Sequence, residues 1–219
     1  INLILKSLID LRNSKEEKST IRALSYQLYE NNGVIKRDLV SNYLKKLDQK
    51  ERKILRDIGV KFGRYHIYLH KLLKPEAVSL RLILWKNYYQ KYFDFKPPTF
   101  GLNFLESKKN LNKNFMLICG FENFDNLFVR IDILERLFVQ IINSNTDGKN
   151  EVELKPEMLN LLGCNKDNFL KLIKKMNYKS YIKEKKLYFK YSPVKNKNIK
   201  NKIINKNSPF NILKEMNLK

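Results

Sequence analysis

The sequence predicts a mainly α protein: a helical domain over 1–96, small strands with a winged-helix-like α+β domain over 97–192, and a flexible basic tail. Three observations carry this reading. Apolar residues recur at helical spacing through most of residues 2–93. The doubled proline of DFKPPTFG (94–101) then makes the clearest boundary in the chain. Beyond it, helix, strand, helix, turn, helix and basic hairpin follow in the order of a winged helix-turn-helix.

Taken in order, residues 2–12 and 19–31 place Leu8, Leu11, Ile21, Leu24 and Leu28 at helical spacing, and Asn32-Gly33 supplies a left-handed stop. Val40, Tyr43, Leu44 and Leu47 continue on a second helix. A third starts at Asp48, whose side chain can cap it while Glu51, three residues on, completes a capping box. Gly59 and Gly63 interrupt the period, Pro75 opens a helix over 76–93, and Leu69, Leu72, Leu73 and Trp85 are expected to pack the helices together.

Residues 101–131 lose that period, and FMLICGFENFDNLFVRI reads as small strands parted by Gly120 and Asp125-Asn126. Residues 131–143 form an amphipathic helix with Ile131, Leu134, Phe138 and Ile141 inward, and Asp132 and Arg136 paired outside. A strand at 151–154, a proline-led helix at 155–163, a second helix at 166–177 and a hairpin at 180–192 with KEKK at its tip complete the module. Residues 193–207, rich in Lys and Asn, read as a basic flexible linker. A short docking helix then starts at Ser208-Pro209, with Phe210, Leu213 and Met216 on one face.

Charge narrows the function classes. Forty-four cations against 22 acids leave a net +22, which fits a polyanionic partner such as RNA, DNA or an anionic membrane face. The bias of 35 lysines to 9 arginines also suits AT-rich coding. Yet residues 1–100 carry 21 cations against 10 acids while residues 101–150 balance at 6 and 6, so drift alone does not account for it. No apolar run reaches the roughly 18–20 residues that span a bilayer. The opening INLILKSLIDLRN lacks the basic start and cleavage site of a secretory signal. Cys119 and Cys164 stand far apart, so a reducing cytoplasm is the expected setting.

Catalytic signals are lacking. His66 and His70 have the i,i+4 spacing of a metal pair, but no acid lies within four residues and Arg64, Lys71 and Lys74 crowd them. Partial burial or phosphate contact is expected instead. The two cysteines read as small buried hydrophobes, and no Walker loop, GxGxxG or HExxH occurs. No catalytic residue, metal or cofactor is therefore expected in this chain. Binding remains. Lys61, Arg64, Lys71, Lys74 and Arg81 are candidate phosphate contacts on the helical domain. Lys171, Lys174 and Lys175 on the second helix of the winged module, and Lys183, Lys185 and Lys186 at its hairpin tip, are the others.

The segment IGVKFGRYHIYLHKLLKPEAVSLRLILW (58–85) resembles the C-terminal region of alphaproteobacterial superfamily II ATP-dependent helicases, relatives of the mitochondrial degradosome RNA helicase. RALSYQLYENNGVIKRD (22–38), FVRIDILERL (128–137), LLGCN (161–165) and SPFNILKEMNL (208–218) agree in order, so the resemblance covers most of the chain. It departs at His70, where a proline is more usual. The resemblance implies a nucleic-acid-binding accessory region beside two motor domains that precede Ile1, with ATP and magnesium in the motor. It also leaves room for a docking module that joins a helicase to a ribosome or nuclease. A stand-alone winged-helix DNA-binding protein is the third alternative.

Overall fold

The computed structural model describes residues 3–13, 19–89, 96–107, 111–145 and 151–193. Of these, 54% are helical and 21% lie in strands, gathered into three antiparallel three-stranded sheets. Across the described residues the fold is therefore an α+β mixture, not a mainly α one. What overturns the expectation is a sheet inside the first hundred residues. Its strands hold only three or four residues each. That is too short for an alternating pattern to declare itself.

The first unit runs from α1 (Lys6–Arg12) and α2 (Ser19–Glu30) to β1 (Val34–Lys36), a 3-10 turn at Arg37–Val40, α3 (Ser41–Lys46), α4 (Gln49–Ile58), β2 (Val60–Phe62) and β3 (His66–Leu69). Gly33 joins α2 to β1 at φ +79°, and a β-carbon there would run into the Leu72 side chain. Asp48 accepts from the Glu51 backbone at 2.7 Å, and the Glu51 carboxylate accepts from the Asp48 backbone at 2.8 Å, so the capping box forms. Leu11, Leu24, Leu28, Leu55, Ile67 and Leu69 meet in its core.

The middle unit has α5 (Pro75–Tyr89), β4 (Phe104–Glu106), α6 (Lys113–Ile118), β5 (Phe121–Phe124) and β6 (Leu127–Arg130). FMLIC, expected as strand, closes α6 instead: Asn112 accepts from the Phe115 backbone at 3.0 Å, and the cap starts a helical turn. Trp85 packs on Phe115 with ring centroids 6.1 Å apart. The third unit has α7 (Ile131–Asn143), β7 (Glu151–Glu153), α8 (Pro156–Leu162), α9 (Lys166–Lys175), β8 (Tyr178–Lys183) and β9 (Lys186–Tyr191), the order read from the sequence. Asp132 pairs with Arg130 at 2.7 Å, not with Arg136.

One connectivity recurs. In each unit a helix leads to a strand, then one or two helices, then a hairpin whose second strand lies between the other two: β1-β3-β2, β4-β6-β5 and β7-β9-β8. The units do not stand apart. Leu127 and Val129 of β6 join Leu134, Phe169 and Phe189 in the core of the third. Val34 and Tyr68 of the first sheet close on Ile131 of α7. The segments 193–207 and 208–219, expected as linker and docking helix, lie outside the described residues save Pro193. Among the described residues no helix is long and apolar enough to cross a membrane.

Arg81 joins the first two units. It is 3% exposed, and its guanidinium donates to the carbonyls of Asn32 (2.8 Å), Leu72 (2.6 Å) and Ile118 (2.9 Å). Burial lowers its pKa to about 10, so the group keeps its proton at neutral pH. Arg81→Ala removes the donor from three carbonyls, those of Leu72 and Ile118 in buried contacts. The expected loss is about 3 kcal/mol, read as a lower urea midpoint without change in slope.

Candidate nucleic-acid interface

The turn between β2 and β3 is where the units meet. Three successive backbone N–H groups, those of Arg64, Tyr65 and His66, donate to the carboxylate of Glu135 on α7, the last two at 2.9 Å. Gly63 makes room for that carboxylate. A β-carbon at this position would sit 2.6 Å from each of its oxygens. Arg37 donates to the Gly63 carbonyl at 2.7 Å and fastens the other edge of the turn.

Beside it lies a second junction. Lys36 and His66 face each other across β1 and β3, and both reach Glu122 on β5, at 2.8 and 2.7 Å. Nδ1 of His66 stands 3.6 Å from Glu135, close enough for charge attraction but long for a hydrogen bond. Burial alone would lower the His66 pKa, but the hydrogen bond to Glu122 and the neighbouring Glu135 outweigh it and raise the value above 6.5. Glu122 moves the opposite way. Burial pushes it up, yet the bonds from His66 and Lys36 hold it below 4.5. The i,i+4 histidine pair dissolves in this arrangement: His66 is buried on a strand, and His70 is exposed in the following 3-10 turn. Among the described residues no cluster of His, Cys, Asp or Glu suits a metal ion.

Above these junctions a cleft of about 480 Å³ opens between the units, lined among others by Lys36, Arg64, Tyr65, Phe124, Lys175 and Tyr178. Tyr65 meets Phe138 edge-on at 5.7 Å, and the Arg64 guanidinium lies 5.6 Å from the centre of the same ring. Aromatic walls with cations at the rim suit a planar base and its phosphate. Burial pushes the Cys119 thiol up to about 12 and Cys164 to about 11, so both keep their protons at neutral pH.

The expected contact residues divide into three groups. Lys61, Arg64, Lys71, Lys74, Lys174, Lys183 and Lys185 are exposed. Lys171, Lys175 and Lys186 are also exposed, but each pairs with an acid: Glu106 at 3.3 Å, Asp125, and Glu153 at 3.0 Å. Arg81 is the correction. Its charge points into the protein, where three carbonyls occupy it, and no phosphate can reach it. Sequence reading missed Glu122 and Glu135 entirely. For Glu135 a signal existed, because it falls in phase with Ile131, Leu134 and Phe138 on the inward face of α7. The partners themselves lie about seventy positions away and leave no local trace.

No protein-family model matches the chain, and neither curated proteins nor solved structures give a significant match.

Two outcomes follow from the junctions. Gly63→Ala forces the Glu135 carboxylate off at least one of its donors. The expected loss is about 2 kcal/mol in a denaturant titration. The His66 shift sets a pH dependence. A group whose folded pKa lies above its unfolded value stabilises fully below that unfolded value, 6.5, and stops doing so as pH rises through the folded one. The melting temperature should therefore fall as pH rises from about 6.5 through the raised folded value, and His66→Gln should flatten that slope. Glu122 acts at the other end: its stabilisation is lost as pH falls below 4.5 and through its lowered folded value.

Proposed function

We propose that this chain is the nucleic-acid-gripping accessory region of an ATP-dependent helicase of the superfamily II type. It holds an RNA or DNA backbone beside motor domains of the same polypeptide. The observation that carries this reading is the third unit's hairpin tip, where Lys183 and Lys185 stand exposed without an acidic partner among the described residues. Glu184 and Lys185 form the turn with φ of 51° and 62°, the mirror-type turn that suits the twist of two paired strands. Lys61, Lys71, Lys74 and Lys174 add exposed charge elsewhere.

Such contacts recognise a phosphate chain and carry little base information. ATP and magnesium act, on this reading, in the motor, and no residue of this sequence is assigned to them. A cytoplasmic setting suits the two free cysteines.

A second reading, a docking module for a protein partner such as a ribosome or nuclease, has its own support. The outer face of α5 exposes Ile83 and Leu84, at 56% and 45%, beside the 81% exposed Tyr88.

Fluorescence anisotropy of the 219-residue chain with labelled single-stranded RNA and DNA separates the two. Binding should weaken with salt, by a log–log slope of about −0.7 per phosphate contact. Lys183→Glu with Lys185→Glu should weaken it about tenfold at unchanged melting temperature. Absence of binding to either polymer at low salt overturns the proposal and favours docking. A lowered melting temperature makes the hairpin tip structural.

A further inference from the structure

The first and third units share one connectivity, so α4 stands where α9 stands: second of a helix pair, directly ahead of the hairpin. In helix-turn-helix folds this second helix is the one laid against nucleic acid. Sequence reading singles out α9 for that place. The structure turns α9 towards its own neighbour, because Lys171 and Lys175 are held by Glu106 and Asp125 of the middle unit.

The first-unit helix differs on each count. Its inner side, Leu55 with half-buried Ile54 and Ile58, packs into the first core. Its entry is fixed by the Asp48–Glu51 capping box, and its exit by Gly59 at φ +111°. The outer side presents Lys50, Lys53 and Arg56 with a single acid, Asp57, among them, all exposed, and Lys45 and Lys46 at the end of α3 precede them. None of these five cations pairs with an acid among the described residues. Between Lys45 and Ile58 there is no aromatic residue, so the chemistry of the face is that of ionic contact to phosphate and not of base stacking. The hairpins divide the opposite way. Glu135 fastens the turn of the first, whereas the tip of the third is exposed.

We infer that the α3–α4 face, centred on Lys50, Lys53 and Arg56, is a second and sequence-independent binding surface for a nucleic-acid phosphate backbone. The inference rests on the nucleic-acid reading above. It places that contact on the first unit's helix, while Lys171 and Lys175 of α9 are held by the middle unit. A single strand and a duplex share the phosphate chemistry, so both serve as probes.

The test uses the 219-residue chain with Lys50→Glu, Lys53→Glu and Arg56→Glu together, titrated against labelled oligouridine and a blunt RNA duplex. Affinity for at least one probe should fall about tenfold or more. The salt slope should shallow by about 0.7 per lost contact on the single strand or about 0.9 on the duplex. The probe that loses more identifies the form held. Wild-type affinity of the variant for both probes, with binding still weakened by Lys183→Glu and Lys185→Glu, overturns this surface and leaves the broader reading standing. Failure of the wild-type chain to bind either probe overturns both. Should the Glu variant melt early, the corresponding Gln variant decides by the same criterion.

Discussion

The carboxylate of Glu135, buried against the backbone of the β2–β3 turn, is the interaction on which the rest of the arrangement depends. Three N–H donors from residues 64–66 satisfy it, which is how a buried carboxylate is kept out of water at tolerable cost. Gly63 is the steric condition for that contact. Once the turn is fastened to α7, the inward face of β3 brings His66 to Glu122, and Lys36 follows because it pairs with His66 across the sheet. The first and second units are joined on their other side by Arg81, a buried cation bonded to carbonyls of both.

These fastenings sort the charge. A net +22 repels itself, and the compact state tolerates it only where solvent or an acid stands nearby. Glu106, Glu122 and Asp125 of the middle unit take up cations from the units on either side. Lys61, Lys71, Lys74, Lys174, Lys183 and Lys185 are left exposed, where ionic contacts contribute little to stability and are available to a polyanion. The same lysine-rich composition thus serves cohesion at one place and exposure at another.

Local chemistry was legible where it acted within a few residues. The capping box at Asp48, the proline at the start of α8 and the helical face of α7 all depend on neighbours three or four positions apart. The strands of the first unit were not legible, because VIK pairs with HIYL from about thirty residues away, and VKF and HIYL, though joined in a hairpin, are too short to carry an alternating pattern. FMLIC misled for the opposite reason: its apolar run suits either state, and the Asn112 cap decides for helix. Asp132 chose Arg130 over Arg136 for a similar reason, since the short reach back to β6 gives a two-point contact.

By itself the sequence determined the excess of positive charge, the helices with their caps, and the order of elements in the third unit. These are properties of composition and of contacts close along the chain. Only the tertiary structure decided which cations face solvent. Lys175 and Lys185 are the same residue type in similarly basic surroundings, yet one is paired with Asp125 from a different unit and the other is exposed at a turn. Arg81 and Glu135 make the same point from inside: whether a charge is buried depends on partners brought from distant positions, which no local spacing records.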